Sequence, residues 1–236
     1  MPGESVPVYL QSRFDNKTAK LYSYAWIVYG FLYIPIQLKT VSSIIQIVLP
    51  NINFMAAMLI GVTVAVVYTG FSGMKGASAV GRIVCIGIYI LLIIFVVTTL
   101  PKFDGFSGLL AKLPQGYDSM KNMPLHRIIA WIFGGSISTA VMQSVLQPLL
   151  AAKNPQAART GSILGYLIAA PFCFFTATCG MLAKASGADL GDGTSAFAYA
   201  IKTFTSPFFG GIIFAFVTMI IAATMATMML ATGTII

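Results

Sequence analysis

The sequence predicts an all-α integral membrane protein with six transmembrane helices, the fourth of them broken. Composition is the first ground. Of 236 residues, 58% are hydrophobic and 8% charged, with a mean hydropathy of +0.88, whereas a soluble domain carries about a quarter charged residues. The spacing of the charges is the second. No charged residue lies between Lys39 and Lys75, Arg82 and Lys102, Arg127 and Lys153, Arg159 and Lys184, or after Lys202. Each gap can hold the about 20 apolar residues that cross a bilayer core as a helix. The third is Gly134-Gly135-Ser136-Ile137-Ser138-Thr139, a run of poor helix formers inside the fourth apolar stretch.

The first span is expected near 23 to 48, with Trp26 and tyrosines 22, 24 and 29 at its interface, where amphipathic rings collect. Lys39 falls within that span. An ionisable residue at depth marks function by default, but the long lysine stem can also carry its ammonium to an interface, and snorkelling is the reading favoured here. Leu49-Pro50-Asn51-Ile52-Asn53 then makes a turn, since Pro cannot donate to a helix and Asn accepts turn geometry. Spans two and three follow near 53 to 71 and 80 to 100, joined by a loop holding Lys75 and Arg82. Gly105 to Leu113 has apolar residues at helical spacing and is expected as a short amphipathic surface helix. Span four, near 128 to 150, carries the break and is preceded by His126, with Trp131 as a belt residue. Spans five and six are expected near 161 to 184 and 209 to 235, and the whole of 1 to 236 reads as one transmembrane domain.

Lys and Arg number 14 against six Asp and Glu, a formal +8. Clustered on one face, such an excess would suggest nucleic acid; here it is spread through loops, so no nucleic-acid partner is expected. Loop charge sets orientation. The segments holding Arg13, Lys17 and Lys20, then Lys75 and Arg82, then Lys153 and Arg159 fall on one side and include two short acid-free loops, which predicts a cytoplasmic amino terminus. The longer loops with Lys102, Lys112, Lys121, Arg127, Lys184 and Lys202, offset by Asp104, Asp118, Asp189 and Asp192, fall on the other. Cys85, Cys173 and Cys179 sit among apolar residues with no C-x-x-C pair, so they read as small buried hydrophobes. The polar start has no signal-peptide layout.

Four short motifs in order carry a family resemblance. Pro7-Val8-Tyr9-Leu10-Gln11-Ser12-Arg13-Phe14, followed by Ile34-Pro35-Ile36-Gln37-Leu38, is the first; Tyr68-Thr69-Gly70-Phe71-Ser72-Gly73-Met74-Lys75 is the second. Leu150-Ala151-Ala152-Lys153, with Ala158-Arg159 downstream, is the third, and Ala222-Ala223-Thr224-Met225-Ala226-Thr227 the fourth. The chain thereby resembles the sodium:solute symporter family. That resemblance implies a leucine-transporter-type fold of two inverted five-helix units, with these six helices standing for core helices three to eight. It also implies that the chain is incomplete. The remaining transporter helices, supplied by another chain or lost by truncation, would then be partners.

The resemblance further implies a sodium site at Thr227, with the carbonyl of Ala223 nearby; Ala226 replaces the usual Ser and removes one oxygen. The alternative reading of Thr227 is a hydroxyl bonded back to its own helix. No acid or Gln follows Val80-Gly81-Arg82, which points to single-ion coupling. Sugar-carrying relatives show N-Q-Y-I-V-Q-R where this chain has Met142, Gln143, Ser144, Val145, Leu146, Gln147 and Pro148, which argues against a sugar. A small organic solute such as an amino acid or carboxylate suits Gly134, Gly135, Ser136, Ser138, Thr139 and Gln143 beside an exposed half-helix end, because free backbone N–H groups favour anions. The same small residues also fit close helix packing.

The spans contain no Asp, Glu or His, so an embedded enzyme is not expected. A secondary active transporter in the cell membrane, coupled to sodium as its only cofactor-like ion and working by alternating access, is the functional expectation. The rival is a truncated, non-transporting fragment that needs partner helices.

Overall fold

Helix-starting chemistry punctuates the chain where the elements begin. The computed structural model describes residues 5–117, 123–188, 190 and 195–235, and of 68–79 the backbone. Every regular element among them is helical: α1 Val6–Arg13, α2 Asn16–Val48, α3 Phe54–Thr99, a 3-10 turn Leu100–Phe103, α4 Gly105–Ala111, α5 Leu125–Val141, α6 Gln143–Leu150, α7 Pro155–Ala185, α8 Ala196–Phe204 and α9 Pro207–Gly233. The first N–H groups of a helix lack internal partners, and a short side-chain oxygen one residue ahead supplies one. Asp15 accepts from the Thr18 amide at 2.7 Å, Asn53 from Ala56 at 2.7 Å and Asn154 from Ala157 at 2.7 Å. Pro155 and Pro207 open α7 and α9, where proline's missing N–H costs nothing.

Asp15 gives a pH-dependent end to α2. Its hydrogen bonds from Thr18, the backbone amide foremost, hold the carboxyl below its ordinary value. A lowered folded-state pKa contributes stability above the unfolded carboxylate range and loses it as pH falls through the folded value. Acidification is therefore expected to lower the protection of the Thr18 amide, its exchange taken relative to the intrinsic rate at each pH. Asp15→Asn, which caps without titrating, flattens that pH response; an equally steep response in the Asn variant rules the carboxylate out as its source.

Four helices are long and apolar enough to cross a membrane: Asn16–Val48, Val80–Phe103 within and just after α3, Pro155–Ala185 and Pro207–Gly233. The bent pair α5 and α6 makes a fifth if counted as one span. This set is compatible with a multi-pass membrane protein. The expected second span appears as a shorter apolar run, Phe54–Val67, so six separate spans are not what the described residues contain.

Three boundaries differ from expectation. The loop expected between 71 and 80 is helical backbone, and α3 runs unbroken for 46 residues, more than twice what a bilayer core needs. Glycines 70, 73 and 76 weaken a helix by about 1 kcal/mol each, but no proline interrupts the segment. The side chains of the Tyr68–Lys75 motif, together with Asp118, Lys121, Asp189 and Asp192, lie outside the described residues. Helix α2 starts at Asn16, ahead of the expected 23, because Asp15 caps it there. Its uncharged stretch is then 21–38, about 27 Å of helix, and exposed Lys39 stands at the end of that stretch instead of at depth. Helix α7 likewise starts early, at Pro155, behind the Asn154 cap.

The chain sorts into two compact units, Met1–Ile83 with Ile132–Gly165 and Thr218–Ile236, and Val84–Trp131 with Tyr166–Val217. In the second unit Ile88, Leu92 and Phe95 of α3, Leu109 of α4, Leu182 of α7, Ile201 of α8 and Ile213 of α9 are fully buried. Lys102 Nζ donates to the carbonyl of Phe204 at 3.1 Å, Phe103 meets Phe204 edge-on, and Lys112 lies over the Phe103 ring at 4.9 Å. These contacts anchor α4, which ends at Ala111, two residues short of expectation, with Leu109 turned inward and Phe106 outward. Tyr89 donates its hydroxyl to the Ile168 carbonyl.

In the first unit, α1 packs on α2 and α6, and α2 meets the end of α9. A Cβ on Gly30 would stand 3.0 Å from Thr232 Oγ1, so the missing side chain permits that approach, as small residues do between helices in lipid. The cysteines divide. Cys179 is buried as expected, Cys85 is half-buried and Cys173 is exposed on α7; none is in a disulfide.

Candidate solute site at the helix break

The fourth span is broken, but at Met142 and not in the Gly134–Thr139 run. Helix α5 continues through both glycines to Val141, and α6 starts at Gln143 with a 48° change of direction. Ser138 and Thr139 explain why the small-residue run holds: both hydroxyls donate back to the Gly135 carbonyl, at 3.0 and 2.7 Å, and so satisfy themselves within the helix. The actual break has an extended residue, Met142 at φ −68°, ψ 123°, with Pro148 six residues on inside α6.

A break frees main-chain groups that must find partners away from water. The carbonyl of Val141 accepts from Tyr22 Oη at 2.7 Å. The carbonyl of Met142 accepts from the amides of Val145 and Leu146 at 3.1 and 2.9 Å, starting α6. Gln143 is completely buried, and its Oε1 accepts from the Val6 amide at 2.9 Å. Gln147, one turn on and also buried, donates Nε2 to Thr234 Oγ1 at 3.3 Å. Tyr22→Phe, which strands the Val141 carbonyl, is expected to cost about 1–3 kcal/mol, read as a lowered unfolding midpoint in micelles. An unchanged midpoint would mean that the break does not depend on this bond.

The environment of α2 completes the site. Trp26, 5% exposed, forms a buried cluster with Met228 and Ala231 of α9, and Tyr22, Tyr29, Tyr33, Met142 and Ile235 pack against it. Its ring lies 5.3 Å from Tyr29, which stacks on Tyr33 at 5.4 Å, and Tyr33 Oη accepts from Gln37 Nε2 at 3.1 Å. The expectation of Trp26 as an interfacial belt residue is therefore corrected: residues 22, 26, 29, 30 and 33 fall on one face of α2, and that face meets α9 and Met142. Trp131 and Tyr24, at 63% and 68% exposure, are the outward rings. His126 is exposed in the first turn of α5.

Three buried polar atoms of this unit have no hydrogen-bond partner among the described residues: Trp26 Nε1, Gln143 Nε2 and Thr232 Oγ1. An unpaired buried donor costs about 1–3 kcal/mol; Trp26 Nε1 and Gln143 Nε2 can only donate, whereas the Thr232 hydroxyl can also accept. Tyr22, Trp26, Gln147 and Thr232 were not among the expected solute residues. Aromatic residues at helical spacing look the same in sequence whether they face lipid or a neighbouring helix.

The expected residues are not all brought together. Of the six proposed solute residues, Gln143 alone is buried; Gly134, Gly135, Ser136 and Ser138 are exposed on α5, Thr139 is half-buried, and α5 has no buried residue. For the cation, Thr227 Oγ1 donates to the Ala223 carbonyl at 2.9 Å, and Ala226 is fully buried. These groups share one turn of α9 and supply two oxygens, whereas hard cations are held by about six. Among the described residues no group of three His, Cys, Asp or Glu side chains is placed to hold a metal. No protein-family model, curated protein or solved structure matches the chain.

Proposed function

We propose that the chain is a secondary active carrier of a small organic solute, or part of one, in a cell membrane, with the solute held at the Met142 break. The observation that carries this reading is the break itself: an interrupted apolar helix beside buried N–H donors, Gln143 Nε2 and Trp26 Nε1, that lack acceptors. Broken helices at such positions are how transporters hold solutes in lipid. The four sequence motifs add the resemblance to sodium:solute symporters, and with it sodium as coupling ion and no covalent chemistry; the loop charges add an amino terminus in the cytoplasm. Thr227 would contribute its hydroxyl lone pairs to the ion, with the rest of the shell from other helices. The test is uptake of labelled amino acids and short carboxylates by vesicles containing the chain, alone and with helices supplied in trans. Uptake driven by an inward sodium gradient is expected. Uptake indifferent to sodium sinks the coupling.

A second reading is a non-transporting fragment completed by partner helices. It draws support from α5, a 17-residue apolar helix with no side chain buried, and from Gly161 and Gly165 on α7, where an added Cβ would meet nothing within 4 Å. Uptake that never appears, even with helices in trans, would favour it.

A further inference from the structure

We infer that the break selects a carboxylate, and that α1 sets this selectivity by fixing which way the Gln143 amide points. The inference rests on reading the break as a solute site. The Val6 amide can only donate, so the group of Gln143 it meets at 2.9 Å is the oxygen. With that oxygen engaged by Val6, the part of the Gln143 amide left without a partner is Nε2, with two N–H hydrogens. Trp26 offers one N–H and nothing else; both atoms are buried without partners, and Met142 packs against the Trp26 cluster. Gln143 is also the first residue of the eight-residue α6, whose amino-terminal end favours negative charge. Two partnerless N–H groups beside the amino-terminal end of α6, with the Thr232 hydroxyl of the same unit able to donate as well as accept, favour an anionic acceptor over an ammonium. Val6 is thus a positioning residue, acting through Gln143.

The local backbone provides a clean variant. Val6 is the first residue of α1, after Ser5 at φ −143°, ψ 155°. Proline is favoured at a first helical position and wants an extended residue before it, so Val6→Pro deletes the amide hydrogen and keeps the helix start. The experiment uses the full chain in nanodiscs with Trp131→Phe, leaving Trp26 as the single indole, and follows its emission while acetate or methylammonium is added at constant ionic strength. Acetate is expected to give a saturable change and methylammonium none. Val6→Pro is expected to weaken acetate about fivefold to tenfold, the worth of one net hydrogen bond, and Gln143→Met to abolish the response. Hydrogen exchange at the Val6 amide gives a second readout independent of binding: it is expected to be slow in the parent and fast in Gln143→Met. Acetate that leaves Trp26 unchanged, or that binds equally well in both variants, overturns the inference, as does an unprotected Val6 amide in the parent. Sodium-driven uptake that persists while acetate is silent overturns this inference and spares the transport reading. Acetate binding without uptake supports it and counts against transport alone.

Discussion

Trp26→Ala is expected to cost about 3 kcal/mol of helix-packing stability, the lower end of the range for truncating a buried aromatic residue. The lower end applies because, in lipid, a separated helix still keeps its indole in an apolar medium; what is lost is close contact with Met228, Ala231 and Tyr29. Trp26→Phe is expected to behave differently. It retains a large ring and removes an N–H that has no partner, and since an unpaired buried donor costs about 1–3 kcal/mol, the loss of volume and the removal of the orphan nearly cancel. Unfolding in mixed micelles, followed by near-ultraviolet dichroism, separates the two variants. An Ala variant as stable as the parent would put Trp26 at the headgroup level and dissolve the cluster on which the site is built.

Charge spacing made most of the helices readable. Stretches bounded by Arg82 and Lys102, or by Arg159 and Lys184, lie in helices because lipid demands both apolar side chains and internally bonded backbone. The ends were harder, since a cap acts locally: Asp15 and Asn154 each extend a helix outward past its apolar core. The break was foreseen in the right span and at the wrong residue. Glycine and serine only lower helix propensity, and Ser138 and Thr139 satisfy their hydroxyls on the Gly135 carbonyl, so nothing in that run forces a break. Met142, a good helix former, gives no such signal; the residues on either side of it, Val141 and Gln143, are bonded to Tyr22 and Val6, partners more than a hundred residues away in sequence. Gln143 was singled out for its place beside the expected half-helix end, whereas Gln147, a buried amide one turn on in the same run, was not. Trp26 was not, because its neighbours come from α9 and the break, which no local pattern encodes.

The medium around the helices is decided by a substitution at Ile90. Along α3, Ile86, Ile90, Ile93, Ile94 and Val97 are exposed while Ile88, Leu92, Phe95 and Val96 are buried, so the helix is apolar on the face turned away from the protein as well as on the face turned in. A helix apolar all round belongs in a core or a bilayer, and Ile90 lies near the middle of the most apolar candidate span, Val80–Phe103, with mean hydropathy 3.0. Ile90→Lys is expected to raise the cost of inserting this helix by about 3–4 kcal/mol, the difference between the two residues at mid-span, or a hundredfold and more in the inserted fraction. Val97→Lys, closer to the end that Lys102 marks, is expected to cost much less, because a lysine there can carry its ammonium out to the interface. Integration measured by resistance to alkaline extraction reads both. Were water to bathe this face, the two variants would behave alike, each within about 0.5 kcal/mol of the parent as ordinary surface changes do, and the helix would gain solubility from either charge. A penalty that deepens from position 97 to position 90 has no source in a uniform solvent; it requires a slab of hydrocarbon whose middle lies near Ile90.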